Sequence, residues 1–544
     1  MDKRTVEINV QIDASSNLPL HQQIYDQLRD AILTGRVRSQ QRLPASRYLA
    51  TMLGVSRTTI TQSYDQLISE GYLETRPGAG TFVCSQLPDD LLKAYTPHLE
   101  AADQDNASST APNLSESSPS DLALSGLALS DYGDLLIQTP DRIFRPTEEL
   151  SFSYGVPALD LFPIKLWRKL WNRRATVSAD WMQYSLDPMG YAPLRTEIAT
   201  YIRQVRAARC QSNQILITNG TQQALSLIVR LLVSAPERGA VEKSSHSSIA
   251  IENPGYLSAQ RIFASSGAPV IPVPVDADGI VIDGPHGLRS LSAKHLIKLV
   301  YVTPSHQFPT GVLMPLSRRL ALLSWAQENN AIIIEDDYDS EFRYSGRPAP
   351  ALQGLDSNGR VLYVGTFSKI MFPGLRLGYI VLPPALVPIF RRSKWLADRQ
   401  CSMLEQQALA DFIAEGYMAK HIRRMRSLYA SRRKVLTQGL HDVFAGIQTP
   451  SSGGVNILGD ESGLHIMAEL PLKKSDAQII SEAQCHKVEV FSAQTQYWHP
   501  KTACKNGAFI FGFGNISEAA IQEALNRLQP VFSSSVSSSS IPGS

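Results

Sequence analysis

Cysteine is scarce in this chain: it holds five, Cys84, Cys210, Cys401, Cys485 and Cys504, widely scattered, with no Cys-x-x-Cys pair and no histidine cluster beside them. That spacing argues against a disulfide framework or a zinc site, so no metal is expected and the compartment reads as a reducing cytoplasm. Long apolar runs are missing as well. No stretch approaches the ~18 apolar residues of a membrane span, and the start, Met1-Asp2-Lys3-Arg4-Thr5-Val6-Glu7, lacks the apolar run of a signal peptide. No membrane partner is expected. Net charge of one sign is absent too, since 52 Lys and Arg against 50 Asp and Glu leave +2. At 544 residues the chain is nonetheless too long for one core and predicts about three or four units at ~150 residues each.

What is present begins with a local concentration of charge. From Arg36 to Tyr64 there are five arginines (Arg36, Arg38, Arg42, Arg47, Arg57) and no acid, while the flanks carry Asp26, Asp30, Asp65, Glu70 and Glu74. A basic face of this kind suits a phosphate backbone, although a solvated arginine-rich surface is the ordinary explanation of such a run by itself. The surrounding pattern is more specific. Leu20 to Leu33 places Ile24, Leu28, Ala31 and Ile32 on one helical face; Ser46 precedes Tyr48, Leu49, Met52 and Leu53; a turn at Gly54-Val55 leads to a third helix with Ile60, Tyr64, Leu67 and Ile68 inward. Gly71 to Arg76 reads as a strand, Pro77 to Gly80 as a tight turn and Thr81 to Val83 as the returning strand.

Residues 20 to 83 resemble the GntR family of winged helices, through Leu43-Pro44-Ala45-Ser46-Arg47, Gly54-Val55-Ser56-Arg57-Thr58-Thr59 and Glu70-Gly71-Tyr72-Leu73. The resemblance implies double-stranded promoter DNA as partner, with the N-terminal end of the third helix in the major groove. Ser56, Arg57, Thr58 and Thr59 then face DNA, Ser56 also capping the helix. Arg57 is the best base reader, because its fork can take guanine O6 and N7 together. By the same resemblance Arg47 grips phosphate, and the tip from Gly78 to Gly80 reaches toward the minor groove. The expected DNA-binding domain is 14–83. Residues 84–150, rich in Ser, Asp, Asn and Ala, are expected to form a flexible linker, and 531–544 a disordered tail.

From Ser153 onward apolar runs alternate with helical segments: Ile215 to Thr218, Ser248 to Ile251, Leu299 to Val302, Ala331 to Ile334 and Val361 to Val364. Such runs signal a mainly parallel sheet buried on both faces, with ligands at the carboxyl ends of its strands. Polar motifs follow these strands. Asn219-Gly220-Thr221-Gln222 opens a helix whose amides can hold a phosphate, or is only a cap. Tyr256, in Glu252-Asn253-Pro254-Gly255-Tyr256, can stack on a pyridine ring or fill a core. Glu335-Asp336-Asp337-Tyr338 offers an acid for a protonated ring nitrogen and a hydroxyl for a phenolic oxygen, and acids there equally suit magnesium. Lys369, in Gly365-Thr366-Phe367-Ser368-Lys369, can form a Schiff base when partly deprotonated, with Arg376 supplying a nearby cation.

In strand order this constellation fits pyridoxal phosphate (PLP). Residues 151–530 resemble fold-type I aminotransferases, and Thr303-Pro304-Ser305-His306-Gln307-Phe308-Pro309-Thr310-Gly311 with Asp336-Asp337-Tyr338-Asp339-Ser340-Glu341-Phe342-Arg343-Tyr344 resemble the MocR/GabR subfamily of regulators. The implied fold is an α/β protein: a winged helix-turn-helix joined to an aminotransferase-like domain with a large mainly parallel sheet and a smaller α+β domain. The resemblance makes Lys369 the aldimine lysine, Asp336 the partner of the ring nitrogen, Tyr338 that of the phenolic oxygen and Tyr256 the stacking ring. Gly220, Thr221, Gln222, Thr366, Ser368 and Arg376 become the phosphate cup, and Tyr184 reaches the phosphate of the partner's cofactor, which implies a homodimer.

Two departures stand out. Phe308 occupies the place where aminotransferases often carry Asn before Pro-Thr-Gly, leaving Tyr338 and Gln307 for the phenolic oxygen. No arginine stands in Ala508 to Gly514, where relatives clamp the substrate carboxylate. The first expectation is therefore a PLP-dependent, DNA-binding transcriptional regulator with an amine or PLP itself as effector. The others are a working aminotransferase with an accessory DNA-binding domain, and a DNA-binding protein that uses the fold only to dimerise.

Overall fold

The computed structural model describes residues 10–13, 18–85, 150–177, 180–185, 187–233, 247–346, 349–445, 454–498 and 507–536, with isolated positions between. The linker expected over 84–150 lies almost wholly outside these residues. Two compact units divide the chain, one within 1–114 and one within 115–544.

The first unit is three helices and a hairpin. α1 (Leu20–Leu33), α2 (Ser46–Leu53) and α3 (Arg57–Ser69) bury Ile24, Leu28, Leu49, Ile60 and Leu67 in one core, and the Tyr64 hydroxyl donates to Pro44 O at 2.9 Å. β1 (Leu73–Arg76) and β2 (Gly80–Val83) pair antiparallel from Leu73↔Val83 to Arg76↔Gly80. One detail adds to the sequence reading and a second corrects it. Tyr48 and Met52 are 57% and 48% exposed, because the eight-residue α2 turns only Leu49, Ala50 and Leu53 toward the core, and each residue is offset from the next by about 100° around a helix. The first wing strand begins at Leu73 rather than Gly71. Gly71, at φ +85°, and Tyr72 instead close α3 through bonds from their N–H groups to Ile68 O and Leu67 O, a left-handed helix ending that glycine permits.

In the second unit, β3 (Leu150–Ser151) pairs parallel with β14 (Val488–Glu489), and an eight-stranded sheet follows. Its strands are β4 (Ile215–Thr218), β5 (Ser247–Asn253), β6 (Val270–Asp276), β7 (Gly279–Ile280), β8 (Leu296–Val302), β9 (Ile332–Asp337), β10 (Val361–Thr366) and β11 (Gly378–Val381), in the order β4-β11-β10-β9-β8-β5-β6-β7. The inner pairs β10/β9, β9/β8, β8/β5 and β5/β6 are parallel. β11 runs antiparallel between β10 and β4. Side chains alternate between two cores, Ile215, Ile217 and Tyr363 in one and Leu216, Leu362 and Val364 in the other, as a sheet covered on both faces requires.

A smaller sheet of β12 (Asn456–Leu458), β13 (His465–Glu469), β15 (Phe491–Ser492) and β16 (Ala508–Gly512) packs with the helices Tyr417–Ala445 and Glu518–Val536. The tail expected from 531 is corrected here. Val531 and Phe532 are buried, and Phe532 lies 5.3 Å from Phe444. They continue the stripe of Ile521, Ala524, Leu525 and Leu528, so helical periodicity outlasts the change in composition; 537–544 lie outside the described residues.

Candidate cofactor and effector site

The carboxyl ends of β4, β5, β9 and β10 converge on a cavity of about 460 Å³. Nine expected residues line it: Thr221, Gln222, Tyr256, Asp336, Tyr338, Thr366, Ser368, Lys369 and Arg376. Gly220 lies beside it at φ +83°, and a Cβ there would stand 3.4 Å from the Arg376 guanidinium. Tyr184 is not part of the cavity wall of its own chain; it is 74% exposed, with Arg399 4.9 Å over its ring.

Each polar group has a physical setting. The Lys369 amine donates to Gly155 O at 2.6 Å, and burial lowers its pKa against the raising fields of Asp339 and Asp336. That favours the neutral, nucleophilic amine. Asp336 is 3% exposed; Tyr301 donates to its Oδ2 at 2.8 Å, while Oδ1 is buried without a partner. Burial pushes its pKa up to about 7. An unsatisfied buried carboxylate oxygen at this point suits a protonated ring nitrogen.

At the other end, the helix Thr221–Leu232 starts from Gly220, and the Asn219 N–H donates to Gln223 Oε1 at 2.8 Å. The Thr366 and Ser368 hydroxyls are 3.1 Å apart, and Arg376 holds Asn219 O at 3.0 Å. Helix amides, hydroxyls and a guanidinium make a cradle for a phosphate dianion. The residues present therefore fit PLP.

Two details differ from expectation. Gln307 does not face the cavity: its amide is spent on Pro254 O at 2.9 Å and Phe308 O at 2.6 Å. Tyr338 does line it, but its hydroxyl donates to His306 O at 2.8 Å. It therefore meets a phenolic oxygen as donor only if that bond is exchanged. His306 Nδ1 lies 3.0 Å from Asp339 Oδ1.

Sequence reasoning missed several wall residues, among them Tyr154, Gly155, Ser258, Arg261, Tyr301, His465 and Gln496. Tyr301 carried a signal, a hydroxyl set among the aliphatic residues of β8; the others come from segments with no cofactor motif. Where a carboxylate-clamping arginine is absent, Phe509, Phe511 and Phe513 are buried in the core.

In the first unit, Ser56 Oγ caps α3 by accepting from Thr59 N at 3.1 Å, and the two hydroxyls are 2.8 Å apart. Arg47, Ser56, Arg57 and Thr58 are exposed, Thr59 is half-buried, and Gly78 at φ +73° turns the exposed wing tip. Gly80 abuts Arg42, whose Nε would be 2.8 Å from a Cβ there. Arg36 is paired with Asp30.

A helix-turn-helix with a β-ribbon wing, carried by a chain whose larger unit has the fold of PLP-dependent aminotransferases, defines a class of DNA-binding regulators. Residues 20–83 match the bacterial regulatory proteins of the gntR family, and 149–540 match aminotransferase class I and II. The chain belongs to the GntR-type regulators with an aminotransferase class I and II domain, the MocR type. It is 36% identical to the probable rhizopine catabolism regulatory protein MocR of Rhizobium meliloti, over 98% of this chain and 97% of that one. It is 31% identical to the pyridoxine biosynthesis transcriptional regulator PdxR of Corynebacterium glutamicum, over 94% and 95%. Among solved structures, the kynurenine aminotransferase of Pyrococcus horikoshii superimposes with a TM-score of 0.62 at 26% identity, covering 76% of this chain and 97% of that one. Among the described residues no helix is long and apolar enough to cross a membrane.

Proposed function

We propose that this chain is a PLP-dependent transcriptional regulator: PLP is bound covalently through Lys369, and PLP itself or an amine that joins it in the cavity controls promoter binding by the winged helix. The observation that carries this reading is the convergence of Lys369, Asp336 and the phosphate cradle on one cavity. Bound PLP would supply an electrophilic carbon and an electron sink. The chain's residues do the rest. Burial keeps the Lys369 amine ready to lose its proton. Asp336 holds a proton at the ring nitrogen, Tyr256 covers the ring, and Gly220, Thr221, Gln222, Thr366, Ser368 and Arg376 bind phosphate, with Tyr184 reaching the phosphate in the partner subunit of a homodimer. On DNA, Arg57 and Thr58 read bases while Arg47, Ser56, Thr59 and the Gly78 to Gly80 tip fix the position. The division into a DNA-binding domain over 14–83, a linker over 84–150 and a sensor domain from 151 belongs to this proposal, as does a cytoplasmic location.

The test is binding to the DNA upstream of the chain's own gene, with and without PLP, against unrelated DNA at fixed salt. Specific binding that changes with PLP is expected; if Lys369→Ala leaves the PLP dependence intact, the mechanism is wrong. The lowered pKa of the buried Lys369 amine also favours a second reading, transamination with turnover. Multiple-turnover conversion of any amino acid to its keto acid would establish it.

A further inference from the structure

The cavity wall also includes Tyr154, Phe308 and His465, to which the cofactor reading assigns no role. His465, the first residue of β13, is 1% exposed yet lines the cavity. Its Nε2 lies 3.2 Å from Pro309 O. A carbonyl oxygen only accepts, so Nε2 carries the proton and, in the neutral ring, Nδ1 is a bare lone pair. No hydrogen bond to that nitrogen is formed among the described residues. Burial, then the nearby His306 and Lys369, hold the imidazole well below its ordinary pKa, so the ring stays neutral.

The His465 ring packs 4.7 Å from that of His306, which faces Asp339, and otherwise among aromatic side chains. Phe308 packs 5.3 Å from the His465 ring and 5.5 Å from Tyr154. The neighbouring strand β16 offers Phe509 and Phe511 to the core and no cation. Of the cations that line the cavity, Arg376 holds Asn219 O, Lys369 holds Gly155 O, and Arg261 too has a partner. A carboxylate placed against His465 would give up its water to face a lone pair and ring carbons, with no charge-assisted partner from that ring. A hydroxyl or second amine would find an acceptor, and a site built around one unpaired acceptor rejects ligands that lack the matching donor.

We infer that His465 is a specificity-determining residue of the effector site, and that the effector is an amine whose far end carries a hydrogen-bond donor, a hydroxyl or a second amine, in place of a carboxylate. This deepens the cofactor-dependent reading and rests on it.

Two probes separate the alternatives, 3-aminopropan-1-ol and β-alanine, which share an amine and chain length and differ at the far end. Each is titrated into the PLP-loaded full chain while the cofactor absorbance is followed. The wild type should bind the amino alcohol about tenfold more tightly, the ratio one hydrogen bond of about 1.4 kcal/mol sets. In His465→Phe the preference should fall below about threefold, and in His465→Gln, whose amide oxygen restores an acceptor, it should return. Taking the ratio within each protein cancels any change in cofactor affinity. Equal affinities, a preference for β-alanine, no response to either probe, or a preference that survives in His465→Phe overturns the assignment. Absence of cofactor absorbance before any amine is added instead overturns the cofactor reading, and the assignment with it.

Discussion

Asp336→Asn is the sharpest perturbation of the cofactor site, because it changes one oxygen to nitrogen in a fixed frame. Tyr301 donates to Oδ2 at 2.8 Å, and Oδ1 is buried and unpaired. Against a protonated ring nitrogen the carboxylate makes a charge-assisted hydrogen bond worth about 1.5–3 kcal/mol. The amide fits the same space but carries no charge, so the variant should bind PLP roughly tenfold to 150-fold more weakly. Equilibrium titration of the cofactor-free full chain with PLP, followed by absorbance, measures the ratio. The cofactor-free protein supplies a second readout of the same group. Burial raises the folded-state pKa of Asp336 to about 7 from 3.8, so between about pH 4 and 7 the folded state holds a proton the unfolded state has lost. Stability from this group therefore falls as pH rises through that window. Glu252, also pushed up to about 7 by burial, adds a fall of the same sign. The change in thermal unfolding midpoint from pH 4 to 7 should be more negative in the cofactor-free wild type than in Asp336→Asn. PLP affinity within threefold of wild type, together with an unchanged pH slope, would refute the placement of Asp336 opposite the ring nitrogen.

Other perturbations test other parts. Arg57→Ala should cost about 1–3 kcal/mol of specific DNA binding while sparing nonspecific binding, read by competition at fixed salt. Ser56→Ala removes the cap bond to Thr59 N and should lower the stability of the winged helix by about 1 kcal/mol, measured by denaturant unfolding. Phe532→Ala empties a buried position against Phe444 and should cost about 3–5 kcal/mol; a loss under 1 kcal/mol would mean that the end of the last helix does not pack. In the proposed dimer Tyr184→Phe should weaken PLP binding, and mixing it with Lys369→Ala subunits should restore one full-affinity site per heterodimer, countable by cofactor stoichiometry.

The parts of the molecule legible in the sequence are those where local pattern and tertiary packing agree. α1 spans Leu20–Leu33 as its apolar spacing indicates, and the five apolar runs of the second unit are all strands. β11 went unread: its four residues, Gly378–Val381, follow a turn at Arg376 and join the sheet antiparallel, a placement that no periodicity encodes. The site divides in the same way. Asp336 stands at the end of β9, Lys369 shortly after β10 and Thr221 opens a helix, so topology alone brings them together. His465 and Gln496 arrive from the smaller sheet and its neighbouring turn, far along the chain from the lysine motif, where only the folded chain shows that they share a wall. Gln307 was misread because its loop turns its amide onto the backbone, which depends on the loop's path and not on residue type.

The same departures that count against an enzyme cost a sensor little. Transamination gains rate from groups that hold the substrate in a reactive orientation, and the phenylalanines of β16 leave no clamp there. A sensor needs only a difference in free energy between occupied and empty states, about 5.5 kcal/mol to drive a two-state equilibrium from 1:99 to 99:1. Lys369, Asp336 and the phosphate cradle can supply energy on that scale without the clamp. Selection on a sensor would then act on which ligand enters. That places the discriminating chemistry in the parts of the cavity wall that the cofactor reading leaves without a role, among them Phe308 and His465.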